Sequence, residues 1–297
     1  VLPEVELLDL AGPLQAFSEA RGRYRVRVCS TRERVCSHQG IVLADLDPLP
    51  DWNRSAEIAE LEAPIVVVPG MPYAATQKVE RAITRWLMAA ARAGAHIASV
   101  CTGAFILGEA GLLDGRLCTT HWSRTSELAR RFPSARVLED RLYVTDGDVT
   151  TSAGIASGID MALAFIEQAD GPLVAAEVAR EMVVYLRRDG ASGQRSVYLD
   201  YRTHLHPGVH RAQDFIVQNP RARVTLTELA DIAGMSPRSL TRTFRAATGI
   251  SVHQFTTRVR TELARTLMHD PALSMDAVAQ RAGVSTRQLR RLQIHPA

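Results

Sequence analysis

Lysine is almost absent. Of the 35 basic residues in this 297-residue chain, Lys78 alone is lysine and the rest are arginine. Positive charge is therefore presented as planar, permanently ionised guanidinium groups. Long apolar runs are lacking too: nothing approaches the ~18 residues that a membrane-spanning helix needs, which excludes a helical membrane protein. No signal-peptide pattern stands at the start. Cysteine is sparse, and Cys29, Cys36, Cys101 and Cys118 show no paired zinc-type spacing. Reduced thiols in a cytoplasmic protein are the expectation.

What is present falls into two parts. The length fits two domains, each able to bury a core. Net charge is +3, but unevenly placed. From residue 204 onward 13 arginines face six carboxylates, whereas the preceding residues are net acidic. A basic module on a mildly acidic body is the footprint of a nucleic-acid binder carrying a regulatory domain.

The basic part contains one pattern written twice, forty-nine residues apart. Leu226, Leu229, Ala230, Ala233, Gly234, Ser236, Arg238, Leu240 and Arg242 are matched by Met275, Val278, Ala279, Ala282, Gly283, Ser285, Arg287, Leu289 and Arg291. Each copy reads as a helix, a glycine turn and a second helix opened by a serine cap, that is, a helix-turn-helix. Thr225 and Glu228 have capping-box spacing, and Pro237 suits a first helical position. Arg238, Thr241 and Arg242 share one helical face, as do Arg287, Arg290 and Arg291 in the second copy. Guanidinium groups so placed bond guanine edges or clamp phosphates of double-stranded DNA. Residues 251–268 read as one connecting helix, holding two reading heads at a fixed separation suited to successive major grooves.

This block resembles the AraC/XylS type of DNA-binding domain. The resemblance implies a closing helix after the second head, and the chain stops at Ala297 without one, so that helix is expected to be missing.

The body alternates strands and helices. Runs at 24–30, 63–69 and 96–101 read as strands, and 76–93, 103–110 and 155–168 as helices, predicting an α/β doubly wound parallel sheet followed by an all-α tandem helix-turn-helix domain. Cys101 ends a predicted strand and opens a helix, an elbow where the helix N-terminus is expected to lower the thiol's pKa. A neighbouring carboxylate acts in the opposite direction.

Cys101-Thr102-Gly103-Ala104-Phe105, with Thr119-Thr120-His121-Trp122, resembles the DJ-1/PfpI superfamily, whose fold is flavodoxin-like. Leu8-Asp9-Leu10-Ala11-Gly12-Pro13, Val68-Pro69-Gly70 and 154–160 support the match. The resemblance implies that Cys101 is the elbow thiol with Asp9 beside it, that Gly70 and Thr102 supply backbone N–H groups to an anionic or carbonyl oxygen, and that His121 borders the pocket. It also implies a strand before Asp9, so residues are expected upstream of Val1.

The combined resemblance is to regulators of the GlxA type. It implies domains at 1–187 (sensing and dimerisation), 188–208 (linker) and 209–297 (DNA-binding). A small-molecule effector such as an amino acid or another nitrogenous metabolite, a homodimer and no cofactor are further expectations. The competing reading is a thiol-dependent hydrolase or hydratase with an appended DNA-binding domain. His204, His206 and His210 have a spacing reminiscent of metal ligands. With Pro207-Gly208 between them, a hinge with solvent-facing histidines is expected instead, and no metal.

Overall fold

A computed structural model describes residues 1–52, 63–72, 79–184, 188–190, 192–194, 196–268 and 273–294. The chain divides into two units, Val1–Gln194 and Arg195–Ala297.

Along the first unit, α1 (Leu7–Glu19) precedes four two-residue strands: β1 (Cys29–Ser30), β2 (Val35–Cys36), β3 (Val42–Leu43) and β4 (Asp47–Pro48). Then β5 (Ile65–Val68), α2 (Arg81–Arg92), β6 (His96–Val100) and α3 (Gly103–Glu109) follow in alternation. After β7 (Leu117–Cys118), α4 (Thr125–Arg131) and β8 (Arg136–Val137), a hairpin of β9 (Tyr143–Asp146) and β10 (Val149–Ser152) leads into α5 (Ser157–Asp170) and α6 (Pro172–Glu181). The central sheet has the order β5-β6-β10-β9, with the first three strands parallel and β9 antiparallel at the edge.

The sheet is covered on both faces. Ile97 of β6 packs in a core with Leu87, Ala90, Phe105 and Leu107 from α2 and α3. Its neighbours Ala98 and Val100 point into a second core with Phe17, Met161, Leu163 and Ile166 from α1 and α5. A strand buried on both sides must be apolar at successive positions, which is why 96–101 reads as a continuous run.

Two elements differ from expectation. In 24–30 only Cys29–Ser30 is strand, paired with β4 outside the central sheet. Arg25 and Arg27 are exposed there, and a run carrying charge at alternate positions cannot enter a sheet buried on both faces. Conversely, β10 is fully buried yet reads Val149-Thr150-Thr151-Ser152. Its hydroxyls are satisfied: Thr150 meets His96 Nε2 at 2.8 Å, Thr151 accepts from Thr119 N at 2.7 Å, and Ser152 donates to Ser99 O. Of the helix expected at 76–93, the part at 76–78 lies outside the described residues.

The expected linker 188–208 divides between the two units. Arg188 is bonded to the buried Asp160, and Gln194 to Thr119 and Thr120, so this part packs on the first unit. In the second unit, α7 (Val197–Asp200) places Val197 in the core, and Gln213 Nε2 donates to Tyr201 O at 2.6 Å. The histidine reading is also corrected. Pro207 begins a helix, α8 (Pro207–Gln218), capped by His206 Nδ1, which accepts from Val209 N. Proline at the first helical position loses no intrahelical bond. His204 and His210 are half-buried; their rings lie 4.5 Å apart with each Nε2 buried.

The rest of this unit comprises α9 (Leu226–Ala233), α10 (Pro237–Thr248), α11 (Val252–Met268), α12 (Met275–Ala282) and α13 (Thr286–Ile294). Val209 and Ile216 of α8 pack with Leu229, Leu240, Phe244, Phe255 and Val259 into the first head. Ala264, Leu263 and Leu267 pack with Val278, Ala282 and Leu289 into the second. Thus α11 lies in both cores, and its 17 residues span about 25 Å.

Candidate functional site

Two regions carry the chemistry of a site: the strand-to-helix elbow at Cys101 and the arginine faces of the two heads.

At the elbow the backbone of Cys101 takes φ +56°, unusual for a residue with a side chain. The strain is held in place by neighbours. Cys101 N donates to Ser152 O at 3.0 Å, and Thr120 Oγ1 donates to Cys101 O at 2.8 Å. Gly154 lies so close that a Cβ there would meet Cys101 Cβ at 2.5 Å and Sγ at 2.8 Å. Gly70 sits equally tightly, since a Cβ there would be 2.5 Å from Asp9 Oδ2 and 2.9 Å from Cys101 Cβ. Thr102 Oγ1 fastens the adjacent loop, donating to Met71 O at 2.6 Å and accepting from Met71 N at 2.9 Å.

Asp9 is fully buried in α1. Its Oδ1 accepts from Ile155 N at 2.8 Å, while Oδ2 has no partner of good hydrogen-bond geometry. Burial pushes its pKa up to about 6, reinforced by repulsion from Glu6 and opposed by the Ile155 and Gly70 amides and the Cys101 thiol. Cys101 moves further, to about 12, because of burial and then the Asp9 charge. The Thr102 amide opposes this but is outweighed. The expected helix-terminus lowering therefore loses to desolvation and a neighbouring carboxylate, and at neutral pH the group is a thiol, not a thiolate.

Asp9, Gly70, Cys101 and Thr102 come together as the motifs require. The Gly70 amide lowers the pKa of Asp9 and the Thr102 amide that of Cys101, so each of the two expected donors lies at the elbow. His121 is half-buried and caps a short 3₁₀ turn, its Nδ1 lying 2.9 Å from Ser123 Oγ. Its pKa is lowered by burial and by Arg124. Sequence reasoning missed the groups that hold the elbow: the Ile155 amide, Thr120 and Gln194. Thr120 stands beside His121 in one quoted motif and Ile155 lies in another, at 154–160, which were the available signals; Gln194 had none.

In the first head, the capping box is formed: Thr225 N donates to Glu228 Oε2 at 2.7 Å and Glu228 N to Thr225 Oγ1 at 3.2 Å. Gly234 ends α9 in the left-handed conformation at φ +69°, and Gly283 ends α12 at the same φ. Ser236 accepts from Ser239 N, and Ser285 from Gln288 N, so both second helices start alike. Leu240, Phe244 and Leu289 are fully buried, which turns Arg238, Arg242, Arg287 and Arg290 outward. Thr241 is exposed as well, although its hydroxyl donates to Pro237 O at 2.9 Å. Arg291 lies outside the described side chains.

Other arginines of this unit serve the fold. Arg211 covers the last carbonyls of α9 at Ile232 and Ala233, and Arg260 bonds Pro220 O at 2.6 Å and Ala222 O at 3.1 Å. Among the described residues no group of three or more His, Cys, Asp or Glu is placed to hold a metal, and no helix is long and apolar enough to cross a membrane.

Comparison with known proteins agrees with both regions. Residues 1–168 match the DJ-1/PfpI family, and residues 229–292 match a helix-turn-helix domain. The HTH-type transcriptional regulator CdhR of Pseudomonas aeruginosa is 31% identical over 208 residues, 69% of this chain and 61% of that protein. The HTH-type transcriptional regulator GlxA of Rhizobium meliloti is 31% identical over 198 residues, 66% of this chain and 60% of that protein. Isonitrile hydratase of Pseudomonas putida is 29% identical over 171 residues, 58% of this chain and 70% of the enzyme. The matches to the two regulators thus span about three-fifths of those proteins. Among solved structures, an AraC family transcriptional regulator from Pseudomonas putida aligns with TM-score 0.52 at 21% identity, covering 61% of this chain and 95% of that one, a likeness of fold. With a sheet covered on both faces, a left-handed cysteine elbow and a family match over more than half its length, the chain belongs to the DJ-1/PfpI family.

Proposed function

We propose that this chain is a sequence-specific, DNA-binding transcription regulator of the cytoplasm, whose first unit binds a small-molecule effector at the Cys101 elbow and forms a homodimer. The observation that carries this reading is the pair of equivalent arginine faces, on α10 and α13, built onto heads that share the core helix α11. A helix common to both cores fixes the spacing of the heads, as recognition of successive major grooves about 34 Å apart requires. Arg238, Thr241 and Arg242 read DNA in one groove, and Arg287, Arg290 and Arg291 in the next.

The effector site comprises Asp9, Gly70, Cys101 and Thr102, bordered by His121. The Asp9 carboxylate makes the elbow electronegative, which favours an amine or another nitrogenous metabolite. No cofactor enters this reading. A thiol pushed up to about 12 is a poor nucleophile at neutral pH, which supports sensing over catalysis. The left-handed elbow itself favours a second reading, a thiol-dependent hydratase or hydrolase. Isocyanide turnover by the full chain, abolished in Cys101→Ser, would establish that reading instead.

The regulator reading is tested on a duplex selected by the full chain from a random-sequence pool. Arg238→Ala and Arg242→Ala are each expected to weaken binding to it by about 1–3 kcal/mol at fixed salt. Unchanged affinity in both variants would remove α10 as a recognition helix. Sedimentation of the full chain should show a dimer, since a second tandem head adds phosphate contacts and avidity. A monomer that binds the duplex with full affinity would refute the dimer.

A further inference from the structure

We infer that the segment carrying Arg188, Ser192 and Gln194 acts as a strap coupling the Cys101 elbow to the second unit, with Gln194 as its positioning residue. This rests on the reading of the elbow as an effector site.

The strap is anchored at both ends to elements that touch the elbow. At its start, the backbone N and Nε of Arg188 donate to the Asp160 carboxylate at 3.1 Å each, and Nη2 at 2.6 Å. Asp160 lies in the first turn of α5, just beyond Gly154, which abuts Cys101, and Ile155, whose amide holds Asp9. In the middle, Leu142 N donates to Ser192 O at 3.0 Å. At its end, Gln194 N donates to Asp140 Oδ1 at 2.8 Å, and Nε2 donates to Thr120 O at 2.9 Å and Thr119 Oγ1 at 3.2 Å. Thr120 in turn donates its hydroxyl to the Cys101 carbonyl at 2.8 Å. Two hydrogen bonds therefore join the strained elbow to the last residue of the first unit, and the next peptide bond enters the second.

Two states follow from this arrangement. In the docked state Gln194 reaches Thr120, as observed. A ligand that reorients the left-handed Cys101 backbone turns its carbonyl, shifts Thr120 and loosens Gln194. Gln194 Oε1 is buried without a partner, so the docked state is incompletely satisfied and a small change at the elbow is enough to tip it. The coupling must also run backwards, because linkage is reciprocal. DNA on the second unit should be felt at Cys101, and that allows a test before any effector is known.

The experiment is hydrogen–deuterium exchange with mass spectrometry on the full chain, with and without the selected duplex. In the wild type, DNA should change exchange in peptides covering 100–106 and 118–122 on the order of fivefold. In Gln194→Ala, in Gln194→Glu (same shape, no N–H to donate) and in Thr120→Val, that ratio should fall to about one while each variant still unfolds cooperatively and still binds the duplex. An unchanged ratio in the variants, or no effect of DNA on the wild type, would overturn the strap. Failure to select any duplex is a separate outcome: it overturns the regulator reading, and the strap with it.

Discussion

Replacing Gly154 by alanine is expected to destabilise the first unit by about 3 kcal/mol or more. Two independent costs combine. The added Cβ would stand 2.5 Å from Cys101 Cβ and 2.9 Å from its Cα, on a backbone that cannot retreat without dragging the elbow. The residue would also be forced to keep φ +115°, a conformation that side chains rarely adopt. Urea unfolding of the full chain, followed by a probe specific to the first unit, measures the loss. Stability within about 0.5 kcal/mol of wild type would mean that Gly154 does not abut the thiol.

Acidification should stabilise the first unit through Asp9, and Asp9→Asn should abolish the effect. The carboxyl's ordinary pKa of 3.8 rises to about 6 in the folded state. A group whose folded pKa is raised adds stability that is complete below the unfolded value and is lost as pH rises through the folded one. The window therefore runs from about pH 4 to pH 6–7. A rise of this size corresponds to about 3 kcal/mol as an upper figure. Asparagine retains an oxygen for the Ile155 amide without the buried charge, so Asp9→Asn should be the more stable protein at pH 7, and the gap should close towards pH 4. Paired unfolding curves at the two pH values test this, because the shifted carboxylates of the second unit, Asp214 and Glu228, are common to both proteins. A gap that does not vary with pH would show that Asp9 stays exposed or paired.

The second unit was legible because its signals are local. A capping box spans four residues, a helix C-cap needs a glycine at one position, and the arginine faces follow from a spacing of three or four. The copy repeats the glycine C-cap and the arginine spacing and has a serine N-cap, Ser274, in place of the full box, so no long-range information was required. Misreadings arise where one residue type admits two local roles. Pro207 reads as a helix breaker, whereas it opens a helix, and the apolar positions Val209, Ala212 and Ile216 that follow carry the helical period. In the first unit, β10 is unreadable as a buried strand because its hydroxyls are satisfied by groups dozens of residues away, His96 among them.

The sequence by itself determined the strand and helix alternation from β5 to α3, the division of charge, the two heads and the elbow motif, because caps, turns and periodicity act within a few bonds. It also named Asp9, Gly70, Cys101 and Thr102 as neighbours through their resemblance to a family. Only the tertiary structure decided what those neighbours do to one another. Ile155 reaches Asp9 across 146 residues, and Gln194 reaches Thr120 across 74. Whether Cys101 is thiol or thiolate depends on the balance of a helix terminus against burial and a carboxylate, and burial wins. Desolvation is a property of everything packed around a group, so no window of sequence contains it.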